Sequence, residues 1–417
     1  MTFFTSINNN YLAKARVLAK SVKKHIPGSH FVLVLSDALP EKFNIKDDPF
    51  DEVITIDKLG IPVENLNLWI FMHTVVELCT AVKGQALYYL LEKYDKVVYI
   101  DPDIVVYDNL DVLDKLLNTY DIIFTPHQTV PEKYDTDVIS NELCSLQHGT
   151  YNFGFFAVRN NDNGKAYAKW YRDRLVKYCY DDKMRGLFTD QRWGDIAPAL
   201  FDNLLIWKDP GANVSTWNLS NRVVTKQKDR YYVNEKPMLF YHFSGIDSGA
   251  QLMMLNKYSK GNPLLYELRN WYIKEIKKNG QLESEKFKGY YDLYSDGTQI
   301  QYEERKVLRD REDVQEYFKD VNPYIKVENP DSVNYYAWFI HEKNTNKRNY
   351  QSKEEILDEL EHLKKRYDYL FEERKELIRE SDSFFNSKSW KITRPLRKIS
   401  SFMRKTKKAI VKTENNE

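Results

Sequence analysis

The stretch KVVYIDPDIVVYD, residues 96–108, sets an apolar run against an Asp-Pro-Asp turn. Val97, Val98, Tyr99 and Ile100 are continuously apolar, which is the pattern of a strand buried on both faces of a parallel, helix-covered sheet. Just past the carboxyl end of such a strand is where open α/β sheets bind ligands. Asp101 and Asp103, one residue apart, can both face a hard cation such as Mn²⁺ or Mg²⁺, shared with substrate phosphate oxygens. Asp-x-Asp turns also occur with no ligand, so the stretch alone leaves metal site and acidic turn both open. Asp108 lies past another apolar run and stays outside the candidate site.

Working outward, strand and helix signals alternate. MTFFTS (1–6), HFVLVLSD (30–37), DEVITID (51–57), KVVYIDPD (96–103) and YDIIFTPH (120–127) read as strands. NYLAKARVLAKSVKKHIPG and roughly 69–94 carry helical periodicity, and the alternation predicts βαβ units around a mostly parallel sheet. GTYNFGFFAVRN (149–160), a helix near 164–180, a TDQRWGD loop opening a helix at 189–203, and PMLFYHFSG (237–245) continue the domain. The predicted organisation is an α/β catalytic domain at 1–262, an irregular, partly helical region at 263–350, a heptad helix at 351–381 and a basic tail at 382–417.

With 21 Phe, 30 Tyr and 8 Trp in 417 residues the chain can fill a large core. A net charge of +1 gives no broad field for nucleic acid, so no nucleic-acid partner is expected. Three dispersed cysteines, Cys79, Cys144 and Cys179, suit reduced thiols in a cytoplasmic protein better than disulfides or zinc. No stretch is apolar enough to span a bilayer, and the first residues do not read as a signal peptide.

Ile356, Leu360, Leu363, Tyr367, Leu370 and Leu377 fall on alternating heptad steps, with Arg374 in the remaining position. This is either a helix docked on its own domain or a coiled-coil contact between copies through 352–380. From Lys388 to Lys412 the tail has ten Lys/Arg and no acid. With Leu396, Ile399, Phe402, Met403 and Ile410 near one helical face, it suits an anionic membrane surface, the plainer reading being a solvated tail.

A distant residue, His242 in FYHFSG, can complete an Asp/Asp/His divalent site at the end of another apolar strand. At this point five ordered pieces carry a resemblance: FFTSINNNYLAKARVLAKSV, LLEKYDKVVYIDPDIVV, YNFGFFAVRN, TDQRWGDIAPALF and FYHFSG. Together they resemble a GT-A fold glycosyltransferase, most similar to the family 8 retaining enzymes that use nucleotide-diphosphate sugars. The resemblance covers residues 1–249.

It implies a Rossmann-like, mostly parallel sheet with flanking helices, to which this chain adds a C-terminal helical extension. It also implies that Asp101, Asp103 and His242 hold Mn²⁺ or Mg²⁺ against the donor diphosphate, UDP being favoured. Thr5, Asn10 and Tyr11 would meet base and ribose, or serve as strand-end and helix-cap residues. Lys83 would reach the donor sugar or diphosphate, or be an ordinary helix lysine. Asn152 would bond sugar hydroxyls, and Gly154 would permit close backbone approach. Asp190 and Gln191 would stand at the anomeric centre, where a carboxylate can attack C1 or stabilise an oxocarbenium ion. Alternatively Asp190 caps the following helix. Trp193, Asp195 and Asn218 are further candidates for sugar or acceptor contacts.

One departure stands out: HFSGIDSGAQ lacks the lysine that the family usually places after this histidine motif. The diphosphate contact would then come from elsewhere, with Arg222, Lys257 and Lys260 as candidates. The implied acceptor is a glycan or lipid-linked glycan, as in bacterial surface-polysaccharide assembly on the cytoplasmic face of a membrane. An inverting transferase, with Asp190 or Asp195 as base, and a non-catalytic membrane scaffold are the competing readings.

Overall fold

The computed structural model describes residues 1–40, 43–326, 333–345, 360–373 and 376. Met1–Glu342 forms one compact unit and Lys343–Glu417 a second. The first is built on a seven-stranded sheet. Its strands are β1 (Thr2–Ile7), β2 (His30–Leu35), β3 (Glu52–Thr55), β4 (Lys96–Ile100), β6 (Ile122–Pro126), β7 (Tyr151–Arg159) and an edge strand, Leu204–Ile206. The order across the sheet is edge strand, β6, β7, β4, β1, β2, β3. All neighbours are parallel except β7, which runs against both β4 and β6. The mostly parallel α/β architecture expected from the apolar runs is present.

Both sheet faces are covered, which is why the strands are continuously apolar. On one face Phe3, Phe31, Val98, Ile100 and Phe155 pack with Leu18 of α1 (Leu12–His25) and Leu113 of α4 (Asp111–Thr119). On the other, Phe4 meets Tyr99 edge-on at 5.0 Å, and Tyr99 stacks on Phe156, also at 5.0 Å. Burying each such side chain contributes roughly 1.5–3 kcal/mol relative to exposure. α3 (Val75–Leu91) crosses the helix Asp162–Tyr178 so closely at Gly84 that a β-carbon there would lie 2.7 Å from the Cα of Arg172.

Three expected elements differ in detail. The helix predicted over 69–94 is two, α2 (Leu66–Phe71) and α3, because Thr74 and Glu77 form a capping box that starts a new helix. The helix over 189–203 breaks into Gln191–Gly194 and Ala197–Leu200, the second opened by Pro198. The strand over 237–245 shrinks to Phe240–His242, outside the main sheet, where it pairs antiparallel with β5 (Ile104–Val106).

Residues 290–310 are pinned to α2 and α3. Arg305 donates to the carbonyls of Phe71, His73 and Tyr291, and Arg309 meets Glu77 at 3.2 Å with both side chains buried. In the second unit, residues 360–373 are helical and Leu360, Leu363, Tyr367 and Leu370 are exposed. Ile356, Arg374, Leu377 and the basic tail lie outside the described residues. Among the described residues no helix is long and apolar enough to cross a membrane.

Candidate active site

Residues 101–104 make a tight turn between β4 and β5, closed by a bond from the Ile104 N–H to the Asp101 carbonyl at 3.0 Å. Pro102 occupies the second position of that turn, where its fixed φ is favoured. Because β5 pairs with Phe240–His242, Ile104 stands opposite His242 and the imidazole comes to lie beside both carboxylates. His242 Nε2 is 3.0 Å from Asp103 Oδ1 and 3.8 Å from Asp101 Oδ2. One ligand atom from each of the three residues lies within 4.8 Å of the others. Two carboxylate oxygens and one imidazole nitrogen form a donor set suited to Mn²⁺ or Mg²⁺ that keeps positions for substrate oxygens.

Burial opposes the charge on each member, and neighbouring charges decide the outcome. Burial raises Asp101 above the usual carboxylate range despite Lys83 and His242 nearby. Burial also works against Asp103, but the adjacent imidazole holds it below that range. His242 is held above its ordinary value because Asp103 outweighs desolvation.

These residues open onto a cavity of about 1150 Å³. Asn10 and Tyr11 line it, as do Lys83, Asn152, Gly154, Asp190 and Gln191. Thr5 does not: it is fully buried within β1, and Ser6, Ile7 and Asn8 reach the wall instead. Lys83 is buried between Asp190 Oδ2 at 3.0 Å and Asp101 Oδ1 at 3.5 Å. Desolvation would lower its pKa, but the two carboxylates hold it well above the ordinary lysine value. It is therefore not a solvated helix lysine.

Asp190 precedes a helix but makes no side-chain cap bond. Its carboxylate turns instead to Lys83 and to the Tyr171 hydroxyl, which donates at 2.9 Å. The turn that aims it is strained: Thr189, a β-branched residue, has φ 44°, in the left-handed region. Gln191 is fixed at both ends of its amide, accepting from the Phe153 N–H at 3.3 Å and donating to the His148 carbonyl at 2.9 Å.

Asn152 accepts from the Gly154 N–H and from Asn213, and donates to His127 Nε2 at 3.1 Å. That last bond needs a neutral imidazole, and burial pushes His127 down to about 4. A β-carbon on Gly154 would lie 2.5 Å from His242 Cε1, 2.7 Å from Asp101 Oδ2 and 2.8 Å from Asn152 Oδ1. The glycine makes room for the site's own side chains.

Other candidates are absent from the cavity wall. Trp193 donates to the Tyr178 carbonyl at 3.3 Å, and Asp195 accepts from Thr150 N–H and from Arg192. Asn218 bonds Ser215 and Asn213 within its own loop. Of the three cations named to replace the missing lysine, Arg222 is buried against the Ala212 carbonyl, Lys257 is turned to Ser140 and the Thr136 carbonyl, and Lys260 to the Ser220 carbonyl. Sequence reasoning missed Trp217, which stands edge-on to His242 at 5.2 Å, and a rim supplied by Gln281, Phe287 and Lys288. It also missed Lys14 and Asp247, which join across the cavity wall in an ion pair.

Residues 2–170 match the model of a family described as glycosyl transferase family 8. Two uncharacterized Bacillus subtilis (strain 168) proteins are similar to the chain. YfnF is 27% identical over 207 residues, 47% of this chain and 65% of YfnF. YfnD is 23% identical over 251 residues, 58% of this chain and 77% of YfnD. The match thus spans just under two thirds of YfnF's length. Among solved structures, the galactosyltransferase LgtC in complex with donor and acceptor sugar analogues shares 19% identity and a TM-score of 0.37, over 59% of this chain and 88% of LgtC.

Proposed function

We propose that this chain, which carries a glycosyl transferase family 8 domain over residues 2–170, moves a sugar from a nucleotide-diphosphate donor to a glycan or lipid-linked acceptor. The donor we favour is a UDP-sugar, the ion Mn²⁺ or Mg²⁺, and the outcome retention at the anomeric carbon. One observation carries this reading: the Asp101, Asp103 and His242 ligand atoms converge on the same cavity wall as a buried Lys83–Asp190 pair.

Bound to that triad, the ion would neutralise charge developing on the leaving nucleoside diphosphate. The chain's own residues supply the rest. Lys83 and Tyr171 hold the Asp190 side chain fixed in a buried position, where it could stabilise a developing oxocarbenium ion. Gln191, tied at both ends, presents a fixed dipole beside it. Tyr11 and Asn10 offer a ring and an amide to the nucleoside. Asp195 has both oxygens engaged, which argues against it as a general base on an acceptor.

The test is nucleotide release by the full-length chain from UDP-, GDP- and dTDP-sugars, with Mn²⁺ and then with excess EDTA. Release from one donor, abolished by EDTA, is expected. No release from any donor, with no thermal shift on adding Mn²⁺ and UDP, would leave the non-catalytic scaffold. A product anomer opposite to the donor's, read by NMR, would remove retention and recast Asp190 as a general base.

A further inference from the structure

Lys14 is the feature of the cavity that the reading above does not use. It sits on α1, one turn past Tyr11, and its side chain is 3% exposed. An ammonium so far from water needs anionic partners. Among the described residues the one it has is Asp247, in an ion pair, and Asp247 itself is 49% exposed. The Tyr11 hydroxyl donates to the same Asp247 oxygen at 2.9 Å, and the Lys14 ammonium lies 3.8 Å from the centre of the Tyr11 ring. Asp247 occupies a short turn between Gly245 and Gly249, with φ of 78° and 77°, just after His242. Glycines at such angles give a turn that can be re-set with little steric cost.

The charge pattern explains why this ammonium matters. Among the described residues the cavity wall carries three lysines, Lys14, Lys83 and Lys288. Lys83 is committed to Asp101 and Asp190. Lys288 lies on the exposed rim. Lys14 lines the same cavity as Asp101, Asp103 and His242. A diphosphate that shares an ion with Asp101, Asp103 and His242 must lie against this part of the wall. Asp101 and Asp103 draw on the same ion, and the departing nucleoside diphosphate carries more charge than one divalent ion neutralises, so a second cation in reach stabilises it.

We infer that Lys14 is the protein's own cationic ligand for the donor diphosphate, and that Asp247 is the carboxylate it exchanges for that diphosphate. The inference rests on the glycosyltransferase reading. In the structure Asp247 neutralises Lys14; a bound diphosphate takes over the ammonium, and Asp247, already half in water, turns outward with its glycine-flanked turn. Only ionic partners and hydrogen bonds are exchanged.

The experiment titrates Mn²⁺ alone, then UDP at saturating Mn²⁺, into the full-length wild type and K14Q, K14R, D247N and K288Q variants by calorimetry. Losing a charge-assisted contact predicts UDP affinity about 10–100-fold weaker in K14Q, partly restored in K14R. Affinity for Mn²⁺ alone is kept in K14Q. D247N keeps or tightens UDP binding, because it removes the competitor. If Lys14 were only a structural partner for Asp247, K14Q and D247N would break the same pair and weaken UDP alike, and that outcome overturns the inference. So does wild-type affinity in K14Q, or a loss carried by K288Q instead. K14Q that fails to fold while D247N folds and binds would be resolved by K14R, whose wild-type UDP affinity supports a cation at this position and whose loss of it does not. A wild type that binds neither UDP, GDP nor dTDP with Mn²⁺ sinks the glycosyltransferase reading itself.

Discussion

Replacing Gly154 by alanine puts one methyl group into the middle of the site. The added carbon would meet His242, Asp101 and Asn152 at 2.5, 2.7 and 2.8 Å, whereas ordinary contact begins at 3.4 Å. Each neighbour therefore has to withdraw by about 0.6–0.9 Å, several times the ~0.2 Å within which metal–ligand distances are normally held. Backbone retreat is restricted, because the Gly154 carbonyl accepts the Asp101 N–H at 2.8 Å. Overpacking of this kind costs roughly 1–3 kcal/mol. We expect Gly154→Ala to lower the thermal midpoint by a few degrees and to weaken Mn²⁺ binding on the order of 10–100-fold. Gly186→Ala is the control: it forces a side chain onto a positive φ of 75°, but in open space, so it costs stability without touching ion affinity. Calorimetric titration with Mn²⁺ and a thermal melt on both variants suffice. A Gly154→Ala protein that binds Mn²⁺ like wild type would refute the claim that this glycine exists to seat Asp101 and His242.

Asp101→Asn, Asp103→Asn and His242→Gln should each abolish Mn²⁺-dependent nucleotide release while circular dichroism stays native; a variant with residual activity above about 10% would exclude that residue as a ligand. Lys83→Met strands two carboxylates and is expected to cost about 3–5 kcal/mol in urea denaturation along with activity, an unchanged midpoint arguing that the pair is not formed in solution. Arg309→Met, which leaves Glu77 buried and unpaired, should cost a similar ~3–5 kcal/mol. Burial pushes His73 down to about 4 from 6.5, so the folded state binds fewer protons than the unfolded chain between those values. Its contribution is complete above pH 6.5 and is lost as the pH falls towards 4; His73→Phe should flatten the decline in denaturation midpoint between pH 7 and 5, and an unaltered slope would assign it to other groups.

What was legible in the sequence was what chemistry constrains at strand ends. Asp101, Asp103 and His242 stand where apolar runs stop, and their types suit a divalent ion. The space at Gly154 is filled by His242, Asp101 and Asn152, neighbours whose approach only the β5 pairing creates. The break between α2 and α3 was written as Thr74-x-x-Glu77, yet apolar periodicity on both sides hid it. Lys14 could not be told from Lys20, Lys23 or Lys24 on the same helix, because burial is decided by a turn more than 230 residues away. The rim at 281–299 has no periodicity to read. For Asp190 the sequence offered cap and site alike; the side chain makes no cap bond and turns to Lys83.

The left-handed backbone at Thr189 sets stability against the hold on Asp190 at one position. A β-branched residue held there costs about 1–3 kcal/mol. A library of variants sorted only by survival of heating would thus enrich glycine or asparagine at 189. The winners would keep the bend at lower cost but lose the Thr189 hydroxyl, which donates to Asp190 Oδ1 at 3.3 Å. Any attempt to harden this protein for use should leave residue 189 as threonine and look for stability on the far side of the sheet.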